Sequence, residues 1–243
     1  MRLKVIGTGS QGNAYLLYNE QEALLIECGV GIKDIKVALD FNLTKLVGCI
    51  MTHEHQDHSK STKDLISAGI EVFSTKGTFD ALNIEHHNAR PLKRIDEFQL
   101  GGFRIKNFDV KHDAAAPSGF LIQHKECGTV LFLTDTYYCP YTFPGLNNII
   151  IEANYSMEII QKKLYDKAFL KNRVLQSHMN LDTCIKTLQA NDLSQVNNIV
   201  LIHLSDSNSN EKTFQEKVSN ATSANVTVAS NGMDLNFNKT PFA

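Results

Sequence analysis

"LVGCIMTHEHQDHSKS", Leu46 to Ser61, joins a short apolar run to three histidines and an aspartate. The run "LVGCI" reads as a buried strand, bounded as it is by polar residues on both sides. The histidine-rich residues after it therefore stand at the exit of a strand. On an extended segment His53 and His55, two positions apart, project to the same side. Asp57 and His58 come at once afterwards, where a turn aims them at a second point nearby. Neutral imidazoles and carboxylates suit zinc, manganese or iron. Four such groups are more than one tetrahedral ion takes from a single loop, which points to two ions. The plain alternative is a surface histidine cluster, or a helix start capped by Asp57. Lone histidines are usually structural, but the pattern HxHxDH directly after an apolar strand argues against that.

A two-ion site needs further ligands, and the chain offers them in matching contexts. His112 follows "FRIKNFDVK", Asp135 follows "VLFLT", and His203 lies within "NIVLIHL". Each sits at or near the end of an apolar run, where side chains leave a sheet edge. The remaining pattern begins with the short runs "RLKVI", "AYLLY" and "ALLIE", separated by turn-prone residues. Helical spacing in "IKDIKVAL" and "TKDLISA" comes after them, the latter stopped by Gly69. Strands at "EVFS", "FRIKNFDV", "GFLIQH", "TVLFLT" and "NIIIE" come next, with a helix at "GTFDAL". The chain closes with helix "LDTCIKTLQA", strand "NIVLIHL", helix "EKTFQEKVSNA" and strand "NVTVAS". A meander followed by strand–helix alternation predicts an α/β fold of two sheets packed face to face, with helices outside.

Composition narrows the class. At 243 residues the chain holds one large domain or two small ones, and no linker-like tract divides it. No stretch approaches the ~18 apolar residues of a membrane span. "MRLKVIGTGS" lacks the apolar core of a secretory signal and reads as a first strand. The five cysteines are odd in number and never spaced CxxC, which fits reduced thiols in a cytoplasmic protein and excludes a cysteine zinc cage. A formal net charge of −2 gives no global basic field of the kind most nucleic-acid binders carry. Locally, "QKKLYDKAFLKNR" sets five basic residues against one acidic. As a solvated face it needs no function; beside an active cleft it would neutralise phosphates. "GTGSQGN" lacks the following helix of a dinucleotide loop and reads as a turn at the rim of a site, where Ser10 and Asn13 can meet phosphate oxygens.

HxHxDH followed by separate His, Asp and His residues resembles the metallo-β-lactamase fold superfamily of metal-dependent hydrolases. The likeness runs over almost the whole chain, through "GTGSQGNAYLL", "LLIECGVGIK", "THEHQDH", "KHDAAAPSGFLI", "LTDTYY", "SHMNLD" and "IHLSDSN". It is nearest to the YycJ (WalJ) type, a subgroup of nucleases acting on DNA. The resemblance implies one αββα four-layer catalytic domain over residues 1–243. It implies two divalent ions, Zn²⁺ or Mn²⁺, one held by His53, His55 and His112, the other by Asp57, His58 and His203, with Asp135 bridging. Two such ions ~3.5–4 Å apart lower the pKa of a bridging water and offset transition-state charge. Asp57 would orient the metal-bridging hydroxide. "IIIEANY" and "QSHMNLD" resemble the acidic strand end and histidine loop of the superfamily's phosphodiesterases, implying that Glu152 buttresses His178 as general acid. The plain reading of His178 is an exposed residue ahead of a helix capped by Asn180. Glu27 stands where many relatives carry Asp, as the carboxylate expected to buttress the histidine loop. Lys171 and Arg173 match a basic stretch of the subgroup, and Ser205 and Asn208 flank the last ligand as substrate contacts. Neither the stretch from His112 to Asp135 nor that from Asp135 to His203 has room for the extra domain or arm of larger relatives.

The implied function is a two-metal phosphodiesterase, a DNA exonuclease by this likeness. A small-molecule phosphodiesterase acting on cyclic phosphates or nucleotides is the alternative that the acidic net charge favours. A non-catalytic, metal-stabilised binding module would require a degraded ligand set, and iron redox chemistry would require a flavin partner.

Overall fold

The computed structural model describes residues 1–163 and 174–240. Its first half forms strands β1 (Arg2–Gly7), β2 (Ala14–Tyr18), β3 (Ala23–Ile26), β4 (Leu46–Ile50), β5 (Val72–Thr75) and β6 (Ala89–Leu92). The second half forms β7 (Asp96–Leu100), β8 (Phe103–Asp109), β9 (Ser118–His124), β10 (Gly128–Leu133), β11 (Leu146–Glu152), β12 (Asn198–Ile202) and β13 (Asn225–Val228). A last strand, β14 (Asp234–Asn236), returns to pair with β1. One seven-stranded sheet runs β14-β1-β2-β3-β4-β5-β6 and the other β13-β12-β11-β10-β9-β8-β7.

Each sheet changes character halfway. β1 to β3, and β7 to β10, are antiparallel meanders. From β3 to β6, and from β10 to β13, neighbours run parallel. Most of the parallel steps cross over through helices: α1 (Ile32–Ala38), α2 (Gln56–Ser59), α3 (Thr62–Ser67) and α4 (Lys76–Ala81) in the first half. In the second half they are α5 (Met157–Lys163), α6 (Leu181–Gln189) and α7 (Glu211–Ala221). Asn180 and Asn210 cap α6 and α7 by accepting from Thr183 N and Thr213 N, both at 2.9 Å.

Strand alternation sorts the side chains into layers. Leu3, Val5, Leu24, Ile26 and Ile50 meet Phe103, Ile105, Phe120, Phe132, Ile150 and Ile202 between the sheets. Ile149 and Ile151, which alternate with Ile150, instead face Leu188 of α6 and Phe214 of α7. Leu25, Cys49 and Met51 pack against Ile35, Leu65 and Phe79 of the first half's helices. The result is the expected αββα sandwich. All seven residues of β11 are buried, as a central parallel strand covered on both faces requires.

The structure adds elements that the periodicity did not predict. β6, β7 and β14 are sheet edges, where a proline, charges and short length hide the alternation. Asp57 and His58 lie on the short helix α2 rather than in a turn. β3 and β12 stop at Ile26 and Ile202, one and two residues sooner than "ALLIE" and "NIVLIHL" predict, because Glu27 (φ 63°) and His203 (φ 54°) turn into left-handed backbone.

Candidate metal centre

The sequence-predicted ligands come from both halves and converge at the ends of β4, β8, β10 and β12. Leaving β4, the chain carries His53 and His55 with ring centroids 4.6 Å apart, edge to face. α2 then lifts His58 to 4.3 Å from the His53 ring. This loop is gripped from behind by the turns after β3 and before β2. Cys28 N donates to His58 O at 2.9 Å and Asn13 N to Asp57 O at 2.7 Å. The fit admits only glycine at position 29, where a Cβ would stand 1.7 Å from Asp57 O.

Asp135, 3 % exposed along its side chain, is the hub. Its Oδ2 lies 2.9 Å from His58 Nε2, 3.4 Å from His53 Nε2 and 3.8 Å from His112 Nε2. Its Oδ1 lies 3.5 Å from His178 Nδ1 and 3.7 Å from His203 Nδ1. Asp57 Oδ2 closes the ring at 3.3 Å from His203 Nε2 and 3.5 Å from His58 Nε2. Asp135 (φ 46°) shares the left-handed backbone of Glu27 and His203. Such backbone costs about 1–3 kcal/mol per residue and collects at functional sites.

Ligand atoms of His53, His55, His112 and Asp135 lie within 4.8 Å of one another, and so do those of Asp57, His58 and His203. The residues expected to hold each ion are thus brought together, though Asp135, expected to bridge, falls in the first set and not in the second. A third set, Asp135, Glu152, His178 and His203, overlaps both. The donors fit divalent cations. His112 Nδ1 is 2.7 Å from Ser177 O and must donate there, so the Nε2 of the neutral ring turns a lone pair toward His55 Nδ1, 3.2 Å away. His53 Nε2 is buried without a hydrogen-bond partner. A buried imidazole nitrogen left without a partner is costly until a cation meets it.

The carboxylates reinforce this reading. Glu27, fully buried, accepts from Thr52 N at 3.3 Å and sets Oε1 3.4 Å from His58 Nδ1, so it buttresses the loop as its position in the sequence predicts. Glu152, also fully buried, accepts from Thr136 N at 3.3 Å and Met179 N at 3.1 Å, and its Oε1 receives His178 Nδ1 at 2.7 Å. Desolvation holds His53 well below its ordinary value, and the neighbouring His58 adds to this. Against desolvation, Asp135 and Glu27 hold His58 well above the usual histidine range, and Asp135 with Asp57 raises His203 to about 9. Against the same penalty Glu152 and Asp135 raise His178 to about 11. His203 and His58 in turn keep Asp135 ionised far below the usual carboxylate range.

The expected substrate contacts are distributed less simply. Ser10 is exposed and lines a polar cleft with Lys60, Asp206 and Asn231. Asn13 is 1 % exposed, with Oδ1 accepting from Gly9 N and Tyr15 Oη and Nδ2 donating to Gly9 O and Asp57 O. Its amide is spent on fixing the loop instead of facing phosphate at the rim. Ser205 Oγ accepts from Asn208 N at 3.3 Å, closing the turn after His203. Lys171 and Arg173 lie outside the described residues. Sequence reasoning missed Thr8, whose Oγ1 accepts from His203 N at 3.1 Å, and Asn154, whose amide donates to His203 O at 2.8 Å. Their only signal was proximity to predicted ligands and strand ends. His86, His87 and His124 play no part in these ligand sets.

A family model described as a beta-lactamase superfamily domain matches residues 23–204. Exodeoxyribonuclease WalJ of Streptococcus pneumoniae is 27 % identical over 228 residues, covering 85 % of this chain and 82 % of that protein. Exodeoxyribonuclease YycJ of Bacillus anthracis is 24 % identical over 234 residues, covering 90 % and 88 %. Among solved structures, the metallo-beta-lactamase fold protein YhfI from Bacillus subtilis superposes with a TM-score of 0.74 at 16 % identity, covering 96 % of this chain and 98 % of that one.

Proposed function

The chain belongs to the beta-lactamase superfamily and is a metal-dependent hydrolase, and from that premise we propose that it is a two-metal phosphodiesterase acting on DNA as an exonuclease. The whole of residues 1–243 serves as one catalytic unit in this reading. The observation that carries it is the Glu152–His178 pair, 2.7 Å apart beside Asp135. Expulsion of a sugar alkoxide needs a proton donor, and an imidazole held beside a buried carboxylate supplies one.

Cations held by His53, His55, His112 and Asp135, and by Asp57, His58, His203 and Asp135, would supply Lewis acidity to water and to the phosphoryl group. Zinc and manganese both suit this mixture of imidazole and carboxylate. The chain's own residues do the rest. Asp57, at 26 % side-chain exposure, is more open than Glu27, Asp135 or Glu152, so its carboxylate can also orient an attacking water. His178 commits Nδ1 to Glu152 and keeps Nε2, on a ring 23 % exposed, for the leaving oxygen. Glu152 stabilises the charged ring and fixes its orientation through the Thr136 and Met179 amides.

The relatives named as exodeoxyribonucleases support DNA as the substrate. Five buried free thiols support a reducing cytoplasm, and no helix among the described residues is long and apolar enough to cross a membrane. The test is a panel of 5′- and 3′-labelled single- and double-stranded DNA and RNA with Mn²⁺, Zn²⁺ or Mg²⁺. Stepwise shortening of DNA from one end is expected. Cleavage of cyclic nucleotides with none of any polymer would replace this reading with the small-molecule one.

A further inference from the structure

Thr136, Tyr137 and Tyr138 directly follow the hub aspartate, and the two tyrosines are 43 % and 53 % exposed. Exposed rings normally sit on yielding backbone, but these do not. Thr136 N donates to Glu152, Lys111 N donates to Thr136 Oγ1 at 3.0 Å, Thr136 Oγ1 donates to Tyr138 O at 2.8 Å, and Tyr137 N donates to Lys111 O at 3.3 Å. The aromatic pair is therefore held by the same bonds that orient the centre.

Tyr137, though not Tyr138, lines an open groove of about 710 Å³ with Lys111, His112, Leu175 and Gln176. The groove reaches His112, one of the proposed ligands, so a polymer in the centre has room to lay one flank in it. Its chemistry is mixed in a particular way. It offers an aromatic face, aliphatic neighbours, an exposed lysine and an exposed glutamine amide, with the carboxylate of Asp113 two residues from the lysine. A nucleotide presents the complement: a π-face to stack, ring-edge donors and acceptors, and an adjoining phosphate. A bare phosphodiester has no use for the ring.

We propose that this groove is a base-stacking subsite in which Tyr137 takes the nucleobase beside the scissile phosphate and Lys111 faces the next phosphate. The proposal rests on the phosphodiesterase reading of the centre. It makes the enzyme require an unpaired base at the cleaved position, whether in a single strand or a frayed end. The backbone that carries the ring is held before substrate arrives, so only the side chain needs ordering on binding.

The test compares three substrates: a single-stranded DNA oligonucleotide, the same strand with an abasic residue at the cleaved position, and thymidine 5′-(p-nitrophenyl) phosphate. Each is assayed with the wild type, Tyr137→Ala, Tyr137→Phe and Tyr138→Ala. Tyr137→Ala should lose about 5- to 150-fold in kcat/KM on the two base-bearing substrates, mainly through KM. On the abasic strand the loss should shrink to less than about twofold, since the stacking partner is gone. Tyr137→Phe should retain nearly all activity, and Tyr138→Ala should show no base-dependent loss. Equal thermal midpoints and metal contents identify folded variants, and Tyr137→Leu, which keeps apolar bulk without a π-face, replaces Tyr137→Ala if the latter is unstable. An equal Tyr137→Ala loss with and without the base would overturn the subsite. A wild type that cleaves the thymidine ester but no strand would overturn the nuclease reading, while the ester arm still decides the role of Tyr137.

Discussion

His178 shows how one side chain acquires a task from its surroundings. Ahead of α6, with Asn180 as the cap, it would ordinarily be a solvated histidine with no partner. Fully buried Glu152 beside it changes that, because the carboxylate gains most by keeping the imidazole charged. His178→Ala is expected to keep its full complement of cations but to slow DNA cleavage by about 10²–10⁴-fold. A p-nitrophenolate leaving group, which needs no proton, should recover much of that loss. Elemental analysis beside kinetics decides the matter: an ion lost from His178→Ala would move the residue into the ligand set. Asp135→Ala should behave in the opposite way. It removes a carboxylate that belongs to one ligand set and lies 2.9 Å from His58 of the other, so metal content and turnover should fall together, and turnover near that of the wild type with both ions bound would contradict its placement.

Among the elements, β8 illustrates how a strand end is anchored beside the centre. Asp109, its last residue, receives Tyr141 Oη at 2.7 Å and Arg94 at 2.6 Å. The Tyr141 hydroxyl, more than the guanidinium, holds the carboxyl below its usual value, against a partial desolvation penalty. A carboxylate depressed on folding stabilises the native state above its unfolded value, about pH 4, and loses that contribution as pH falls through the folded value. Tyr141→Phe should therefore cost about 1 kcal/mol at neutral pH and flatten the acid limb of a stability–pH curve. Denaturant titrations from pH 2 to 7 measure both; parallel curves would show that the hydroxyl does nothing. Elements such as β8 were legible because buried and exposed residues alternate along "FRIKNFDV". The edge strands β6 and β7 were not, since their information is carried by pairing partners and not by their own pattern. The same division holds at the centre. The histidine loop, Asp135 and His203 announced themselves at strand exits, whereas Asn13, Thr8 and Asn154 act through backbone bonds that no spacing records.

At the scale of the molecule, the centre joins two halves of similar design, one giving the histidine loop and the other Asp135, Glu152 and His203. Cations that bind only this assembled form stabilise it. At one hundred times the dissociation constant the gain is about 2.7 kcal/mol. For a chain of this size chelation should then lower the thermal midpoint by roughly 5–10 °C. Asp135→Ala should be indifferent to the chelator, and an equal response in both proteins would place the cations elsewhere. The late strand β14 sets the order in which all this can happen. Leu3 of β1 finds its neighbour Leu235 only across nearly the full chain, and His58 waits likewise for His203. A ribosome adds about 5–20 residues per second, so the histidine loop spends on the order of ten to thirty seconds in the world before its last partner is made. The nascent chain passes that interval with its ligand sets incomplete and the β1 edge of its first sheet unpaired.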